Sequence, residues 1–433
     1  MHQAPQIDFT NVRRVHFIGI GGIGISALAR LVQHEGKVVT GTNDSESPAT
    51  LDALRNAGVQ ISLNLTSQLP EADCYVYSDA WPDNHPEVVD AARATGKPTL
   101  SYPDALGAIA NSYYLIAVAG THGKTTTTAM LIDVFEAAGL DPTAIVGSLR
   151  AKTKSNFRAG KSKYFIIEAD EYRRHFHAFL PDLLVITNIE TDHLDYYRDL
   201  ADVQDAFREL ARRVPEDGFI VCDPSDAAVA PVLGGVKATI IDYPKLVDPL
   251  MQLRVPGVHN LMNAAAALGV VSALKIDAEL AKQALEDFSG TWRRAEYLGE
   301  APSGALVFDD YAHHPTEIEV TLRAFREKYP QRRMVVAFQP HLHSRTKDFF
   351  EGFVVALSMA DEVVLAPIHE AREEEDHSVS SAMLAEAIGA RARALGSYED
   401  ITAHLAEHTA ADDLIITMGA GAINRVAEAL VRI

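Results

Sequence analysis

Cysteine is nearly absent from this sequence: 433 residues contain two, Cys74 and Cys222, and neither stands in a CxxC or Cys/His spacing. That argues against a disulfide-stapled scaffold and a structural zinc site, and a cytoplasmic, reducing compartment is expected. Positive charge is scarce as well. Lys and Arg total 39 against 59 Asp and Glu, a formal net charge of -20, so no nucleic acid partner is expected. Any anionic substrate needs local compensation from Lys, Arg, helix N-termini or metal ions. No uninterrupted apolar stretch reaches about 18 residues, and the opening segment to Arg14 lacks the apolar core of a signal sequence, so no membrane insertion is expected. Short-period repeats and low-complexity tracts are missing, and the acidic run Glu373 to Asp376 reads as a solvated loop.

What is present is the make-up of a globular enzyme, 47% hydrophobic and 23% charged, long enough for roughly three domains. Three segments each begin with a strand-like apolar run that ends in a glycine-rich or acidic turn. The first opens at Val15 to Ile20, followed by a helical pattern from Ser26 to Gln33, a run Lys37 to Thr40, a helix-like Ala49 to Ala57 and the run Cys74 to Ser78. A second opens at Tyr114 to Ala119, passes through Gly120–Thr125 into a helix to about Ala138, and continues with Tyr164 to Ile167 and Leu183 to Ile186. The third carries Leu306 to Phe308, Met334 to Ala337, Glu362 to Leu365 and Leu414 to Thr417. Alternating short apolar strands and amphipathic helices predict an α/β protein with parallel sheets. Boundaries fall near residues 107 and 290, giving domains 1–107, 108–290 and 291–433.

The strongest local signal is Ala119-Gly120-Thr121-His122-Gly123-Lys124-Thr125-Thr126. A strand, this turn and a helix aim backbone N–H groups and the helix dipole at a polyphosphate. Lys124 would neutralise β/γ-phosphate charge and the Thr125 hydroxyl would ligate Mg²⁺. The spacing departs from G-x-x-x-x-G-K-[ST], since Val118 takes the first glycine position. The bland reading is a helix-capping glycine turn that happens to contain a lysine. Glu168 ends an apolar strand, where a carboxylate is costly without a metal or charge partner, and His193 follows the strand that ends at Ile186. Neighbouring strand ends converge in a doubly wound sheet, so Thr125, Glu168 and His193 could share one Mg²⁺–ATP site. The alternative is that Glu168 joins a surface acidic cluster with Asp170 and Glu171, while His193 caps a turn.

Gly19, Gly21, Gly22 and Gly24, after a strand and before a helix, match a dinucleotide-type loop. Asn43 or Asp44 stands near the place of the acid that reads ribose hydroxyls. The loop supports a diphosphate-bearing ligand without distinguishing NAD from a UDP-sugar. An NAD-dependent oxidoreductase would leave Gly120–Thr125, Glu168 and His193 without a role, and a nucleotide-gated binding protein would use the phosphate loop as a switch alone.

The stretches HFIGIGGIGISALA, VAGTHGKTTTTAM, EADE, TNIETDHLDYY, GVHNLMNAAAAL, RRAEYLG, DDYAHHPTE, FQPHLHSRT and TMGAGAIN resemble the Mur ligase family over essentially the whole chain. The resemblance extends to its alanine-adding members. It implies an N-terminal Rossmann-like domain for a UDP-sugar, a central P-loop ATPase domain with a parallel sheet and a C-terminal Rossmann-like domain. The implied activity is ATP-dependent ligation of L-alanine to the carboxylate of UDP-N-acetylmuramic acid through an acyl phosphate, in peptidoglycan precursor synthesis, by a monomer or weak homodimer. The resemblance assigns Gly120, Thr121, His122, Gly123, Lys124, Thr125 and Thr126, with Asn260 and Asn263, to ATP, and Thr125, Glu168 and His193 to Mg²⁺. Arg294 and Asp310 would reach ATP from the third domain and act in catalysis with Lys124, Glu168 and His193. Gly19, Gly21, Gly22, Gly24, Asn43 and Ser78 would hold the UDP-sugar, and Tyr311, His313 and Arg345 the amino acid. Residue by residue, Asn260 and Asn263 also read as a helix cap and a surface amide, and Arg294 and Arg345 as surface ion pairs. His175, His177 and His343 read as structural. Departures from the family pattern are Asn43 for a frequent Asp, Leu342 for a frequent Arg, and Tyr172-Arg173-Arg174-His175 after EADE. EADEY also occurs in ligases that recycle a tripeptide onto the same UDP-sugar. No Lys lies between His193 and Lys237 to supply the carbamylated lysine of some relatives.

Overall fold

Strands buried on both faces need continuous apolar runs, and the runs Arg14–Ile18, Tyr114–Ala119, Leu183–Ile186 and Arg333–Phe338 supply them at the centres of parallel sheets. The computed structural model describes residues 7, 9–46, 48–65, 68–370, 373 and 376–432. Most of the opening segment before residue 9, and Glu374 and Glu375 of the acidic run, therefore lie outside the described residues. The chain divides into two compact units: residues 1–192, 198–247 and 263–285, and residues 193–197, 248–262 and 286–433.

The first unit holds two sheets. One is built from β1 (Arg14–Ile18), β2 (Val38–Thr42), β3 (Gln60–Ser62), β4 (Cys74–Tyr77) and β5 (Thr99–Ser101), in the order β3-β2-β1-β4-β5, all pairs parallel. The other is built from β6 (Tyr114–Ala119), β7 (Thr143–Arg150), β8 (Ser155–Arg158), β9 (Tyr164–Glu168), β10 (Leu183–Ile186), β11 (Phe219–Cys222) and β12 (Thr239–Asp242). Its order is β12-β11-β10-β6-β9-β7-β8, parallel except for the β7–β8 hairpin. The hairpin lies along the helix Ile23–His34: Asn156 Nδ2 donates to Ile23 O (2.6 Å) and Arg30 donates to Ser155 Oγ (2.9 Å).

The second unit has one sheet, from β13 (Glu296–Glu300), β14 (Leu306–Asp310), β15 (Arg333–Phe338), β16 (Glu362–Leu365), β17 (Ala392–Ala394) and β18 (Asp413–Met418), in the order β13-β14-β18-β15-β16-β17. Alternation along its strands splits the core in two. Phe308, Met334, Phe338 and Ile416 pack with Leu322, Phe325 and Phe353, while Val307, Val335, Ala337 and Ile415 pack with Ile423, Val426 and Leu430. This α/β organisation has the parallel sheets the alternation predicts. Of the strands absent from that reading, β3, β5, β8, β12, β13 and β17 lie at sheet edges, where half-exposed residues suffice, while β7 and β11 are interior strands it passed over. No described helix is long and apolar enough to cross a membrane.

Candidate active site

The phosphate loop grows out of β6, the strand between β9 and β10 in its sheet. Gly120 (φ 136) and Gly123 (φ 83) adopt backbones that favour glycine. A Cβ on Gly120 would lie 2.0 Å from Thr187 Oγ1, and one on Gly123 would lie 2.3 Å from Asn263 Oδ1. The end of β10 clips the loop in place. Asn188 Oδ1 accepts from His122 N (2.9 Å), Thr187 Oγ1 and Asn188 Nδ2 donate to His122 O (2.6 and 3.0 Å), and Glu190 N donates to Thr121 Oγ1 (2.8 Å). The helix Lys124–Ala137 starts there, with Thr126 half-buried on its first turn, and first-turn N–H groups have no partner within a helix.

Lys124 folds back over the loop. Its Nζ donates to Gly120 O and Thr121 O and pairs with Glu171, 2.8 Å from Oε2. Burial opposes the ammonium charge, but Glu171, with Asp170 and Glu168 behind it, raises its pKa above the ordinary value. Glu171 is only 3% exposed, so it is no member of a surface acidic cluster. Thr125 Oγ1 donates to Glu168 Oε1 (2.8 Å), and Glu168 Oε2 accepts from Gly147 N (2.7 Å). Hydroxyl and carboxylate oxygens side by side form the hard donor set that suits Mg²⁺. His193 belongs to the second unit, where its left-handed backbone (φ 54) lets its carbonyl accept from the N–H groups of Tyr196 and Tyr197.

The first glycine loop follows β1. Gly19 (φ 77) lies under the Trp81 indole, where a Cβ would come within 2.1 Å of Nε1, and a Cβ on Gly24 would lie 2.6 Å from Tyr102 Oη. Asn43 is buried, and its Oδ1 accepts from Gly21 N (2.9 Å) while its Nδ2 donates to Ser45 O (2.8 Å). Its side chain braces the loop from within. Asp44 stays exposed, 3.4 Å from His85 Nε2. Ser78 closes the other side, its Oγ 4.0 Å from the place of a Cβ on Gly22.

In the second unit the adjacent arginines part ways. Arg293 (φ 57) is buried and bonds Asp309 (2.7 Å), Gly421 O and Gly419 O. Arg294 instead lies 5.3 Å over the Tyr311 ring and 3.7 Å from Glu317. Asp310 accepts from the N–H groups of Ala295 (2.6 Å) and Ala312 (2.7 Å), and burial raises its pKa against the opposing charge of Arg294. Glu317 accepts from His313 N (3.0 Å), so Arg294 and His313 meet at one carboxylate, with the Tyr311 ring against both. Arg345 is 7% exposed and lies 3.4 Å from His341 Nδ1, so it is not a surface ion pair. Asn260, also in this unit, is buried and bonds Pro256 O, while Asn263 belongs to the first.

Residue-by-residue reading gave Glu171 only a place in a surface acidic cluster and assigned no role to Thr187, Asn188, Glu317 and His341. Their signal was their position inside the stretches EADE, TNIETD, HHPTE and QPH.

A phosphate loop with a paired lysine, a glycine loop on a second parallel sheet and an arginine–histidine cluster on a third unite in one class of enzyme. The chain matches the Mur ligase family, catalytic domain, over residues 14–114, the Mur ligase middle domain over 118–245 and the Mur ligase glutamate ligase domain over 293–421. It belongs to the Mur ligase family. A UDP-N-acetylmuramate–L-alanine ligase of Agathobacter rectalis is 38% identical, with 99% of each chain covered. The crystal structure of UDP-N-acetylmuramate–alanine ligase from Thermotoga maritima is similar with a TM-score of 0.80 at 26% identity, covering 98% of this chain and 99% of that one. A murein peptide ligase from Psychrobacter arcticus reaches a TM-score of 0.72 at 26% identity, covering 97% and 98%.

Proposed function

We propose that this chain is an ATP-dependent ligase joining L-alanine to the carboxylate of UDP-N-acetylmuramic acid in peptidoglycan precursor synthesis. The observation that carries the reading is end-to-end identity with an alanine ligase, 38% over 99% of both chains. A carboxylate is a poor electrophile. The carboxylate oxygen takes the γ-phosphoryl group of ATP, releasing ADP; the amine of L-alanine attacks the acyl carbon of the resulting acyl phosphate, and phosphate and a proton leave. The protein's part is to position the reactants and offset charge where it develops.

In this reading residues 1–107 bind the UDP-sugar, 108–290 bind ATP and 291–433 bind the amino acid. Gly120–Thr126 with Asn260 and Asn263 receive the nucleotide, and Lys124 exchanges Glu171 for phosphate oxygens. Thr125 and Glu168 would hold Mg²⁺ together with His193, and the ion supplies charge neutralisation at the phosphates when bound. Gly19, Gly21, Gly22, Gly24 and Ser78 take the UDP-sugar on a loop that Asn43 shapes. Arg294 and Asp310 serve the phosphates from the third domain, and Arg345 receives the carboxylate of L-alanine beside Tyr311 and His313. The two buried free cysteines are consistent with a reducing cytoplasm, and the chain acts as a monomer or weak homodimer in this reading.

The second reading, addition of a preformed tripeptide, has in its favour the likeness to the murein peptide ligase and the EADEY segment. Phosphate release with ATP and UDP-N-acetylmuramic acid decides between them. We expect stimulation by L-alanine and none by the tripeptide; the reverse pattern sinks the alanine reading.

A further inference from the structure

Within the first unit, a cavity of about 230 Å³ opens between the first glycine loop and Glu168, with Gly24, Tyr102, Leu106, Ile145, Glu168 and His175 in its walls. Pockets that enclose a whole drug-sized ligand span roughly 300–1,000 Å³, so this one suits one part of a larger molecule. Leu106, Ile145 and Phe179 supply apolar wall, while Glu168, Asp170 and His175 supply polar wall.

His175 is held in an unusual way. It follows two consecutive residues with left-handed backbones, Arg173 (φ 48) and Arg174 (φ 59), each of which costs about 1–2 kcal/mol outside glycine. Both are pinned: Arg173 bonds Asp83 (2.9 Å) and Arg174 bonds Asp202 (2.8 Å). The kink sets His175 between two carboxylates. Nδ1 lies 3.3 Å from Asp170 Oδ2, which fixes the ring, and Nε2 lies 3.7 Å from Asp79 Oδ2. The second distance is too long for a direct hydrogen bond.

A group resting against both atoms must accept from Nε2–H and donate to the carboxylate. A hydroxyl does both; a carboxylate would be repelled by Asp79 and Asp170, and a methyl would satisfy neither. Burial opposes charge on His175, but the hydrogen bond to Asp170 and the charges of Asp170 and Asp79 raise its pKa, which favours the ring with hydrogen on both nitrogens. Burial pushes Asp79 up to about 6, which still leaves it an acceptor at neutral pH.

We propose that His175 and Asp79 form the subsite that reads a free ring hydroxyl of the amino sugar of UDP-N-acetylmuramic acid. The inference rests on the ligase reading, in which that sugar lies between a diphosphate at the glycine loop and a carboxylate at Glu168. The pyranose then sets its C–H face against Leu106, Ile145 and Phe179. The pair determines specificity for a sugar and takes no part in moving phosphate.

The test is calorimetric titration of the full chain and of its His175→Ala and Asp79→Ala variants with UDP, UDP-N-acetylglucosamine and UDP-N-acetylmuramic acid. Both sugar nucleotides carry free ring hydroxyls, and the first lacks the lactyl carboxylate. Each variant should weaken both sugar nucleotides by about tenfold or more, the loss of a hydrogen bond to a charged group, and leave UDP and ATP within about twofold. Equal weakening of UDP in both variants would mean a structural role. Loss confined to UDP-N-acetylmuramic acid would mean that the pair reads the lactyl carboxylate, and unchanged binding of both sugars would mean that it reads nothing; each result overturns the proposal. Phosphate release by the unaltered chain with L-alanine is measured separately. Its absence beside the expected binding pattern would break the ligase reading and leave the subsite standing.

Discussion

The loop Gly19–Gly22 and the loop Gly120–Gly123 are built alike and equipped differently. In each, a central parallel strand leads into a glycine with positive φ, and a close neighbour occupies the place of a side chain, Trp81 at Gly19 and Thr187 at Gly120. In each, an asparagine from the end of the next strand accepts a loop N–H: Asn43 from Gly21, Asn188 from His122. The helices that follow then diverge. Ile23, Gly24, Ile25 and Ser26 add no charge, whereas Lys124 and Thr125 add an ammonium and a hydroxyl facing Glu171 and Glu168. In the proposed reading, backbone N–H groups and a helix dipole suffice to hold a diphosphate that does not react, and side-chain charge and metal ligands would be added where charge moves during the reaction.

That contrast is sharpest at Lys124. Lys124→Ala should lower L-alanine-dependent phosphate release by about 10²–10³-fold, the scale for removing one preorganised electrostatic group. UDP binding should persist, and full turnover in this variant would end the mechanism. Next comes a crossed pair. Gly120→Ala forces a Cβ against Thr187, and Gly19→Ala forces one against Trp81, each straining its loop by roughly 1–3 kcal/mol. ATP affinity should collapse in the former and UDP-sugar affinity in the latter, each with the other ligand retained. Loss of both ligands in either variant would dissolve the division of labour.

Asn43→Ala removes the acceptor of the buried Gly21 N–H at a cost of about 1–3 kcal/mol. The Kd for UDP-N-acetylmuramic acid should rise while the KM for ATP holds, and Asn188→Ala should do the opposite. A last effect, on stability and not on ligand binding, concerns the far end of the phosphate-loop helix. Burial of Glu136 opposes its charge, yet Arg150 and Arg158 hold its carboxyl down to about 2. A lowered folded pKa contributes stability that is complete above the unfolded carboxylate pKa and lost as pH falls toward the folded one. Thermal denaturation should therefore show Glu136→Gln destabilised near neutrality, with the gap from the parent narrowing by up to about 3 kcal/mol between pH 5 and 2. A constant gap would remove the ion cluster from the account.

Strong local patterns were legible early. The runs Tyr114–Ala119, Leu183–Ile186 and Glu362–Leu365 are strands with the ends read from apolar patterning alone. Ile20, read as the end of the first strand, lies instead in the turn after Ile18, fully buried beneath Gly41, so burial and strand membership part there. Edge strands such as Glu296–Glu300 escaped because a strand paired on one side has no need of an apolar run.

The sequence by itself determined the two strand–glycine–helix loops, because turn chemistry and apolar periodicity are properties of neighbouring residues. It also determined the run of motifs that places the chain among the Mur ligases. Only the tertiary structure decided which carboxylate of the EADE segment meets Lys124: Glu171, 47 residues away, while Glu168 turns to Thr125. It alone separated Arg293, sealed on Asp309, from Arg294, laid over Tyr311. It also seated His175 between Asp79 and Asp170. The physical reason is common to all three. A charged group settles where burial and a distant partner balance, and that balance exists only once the chain has folded.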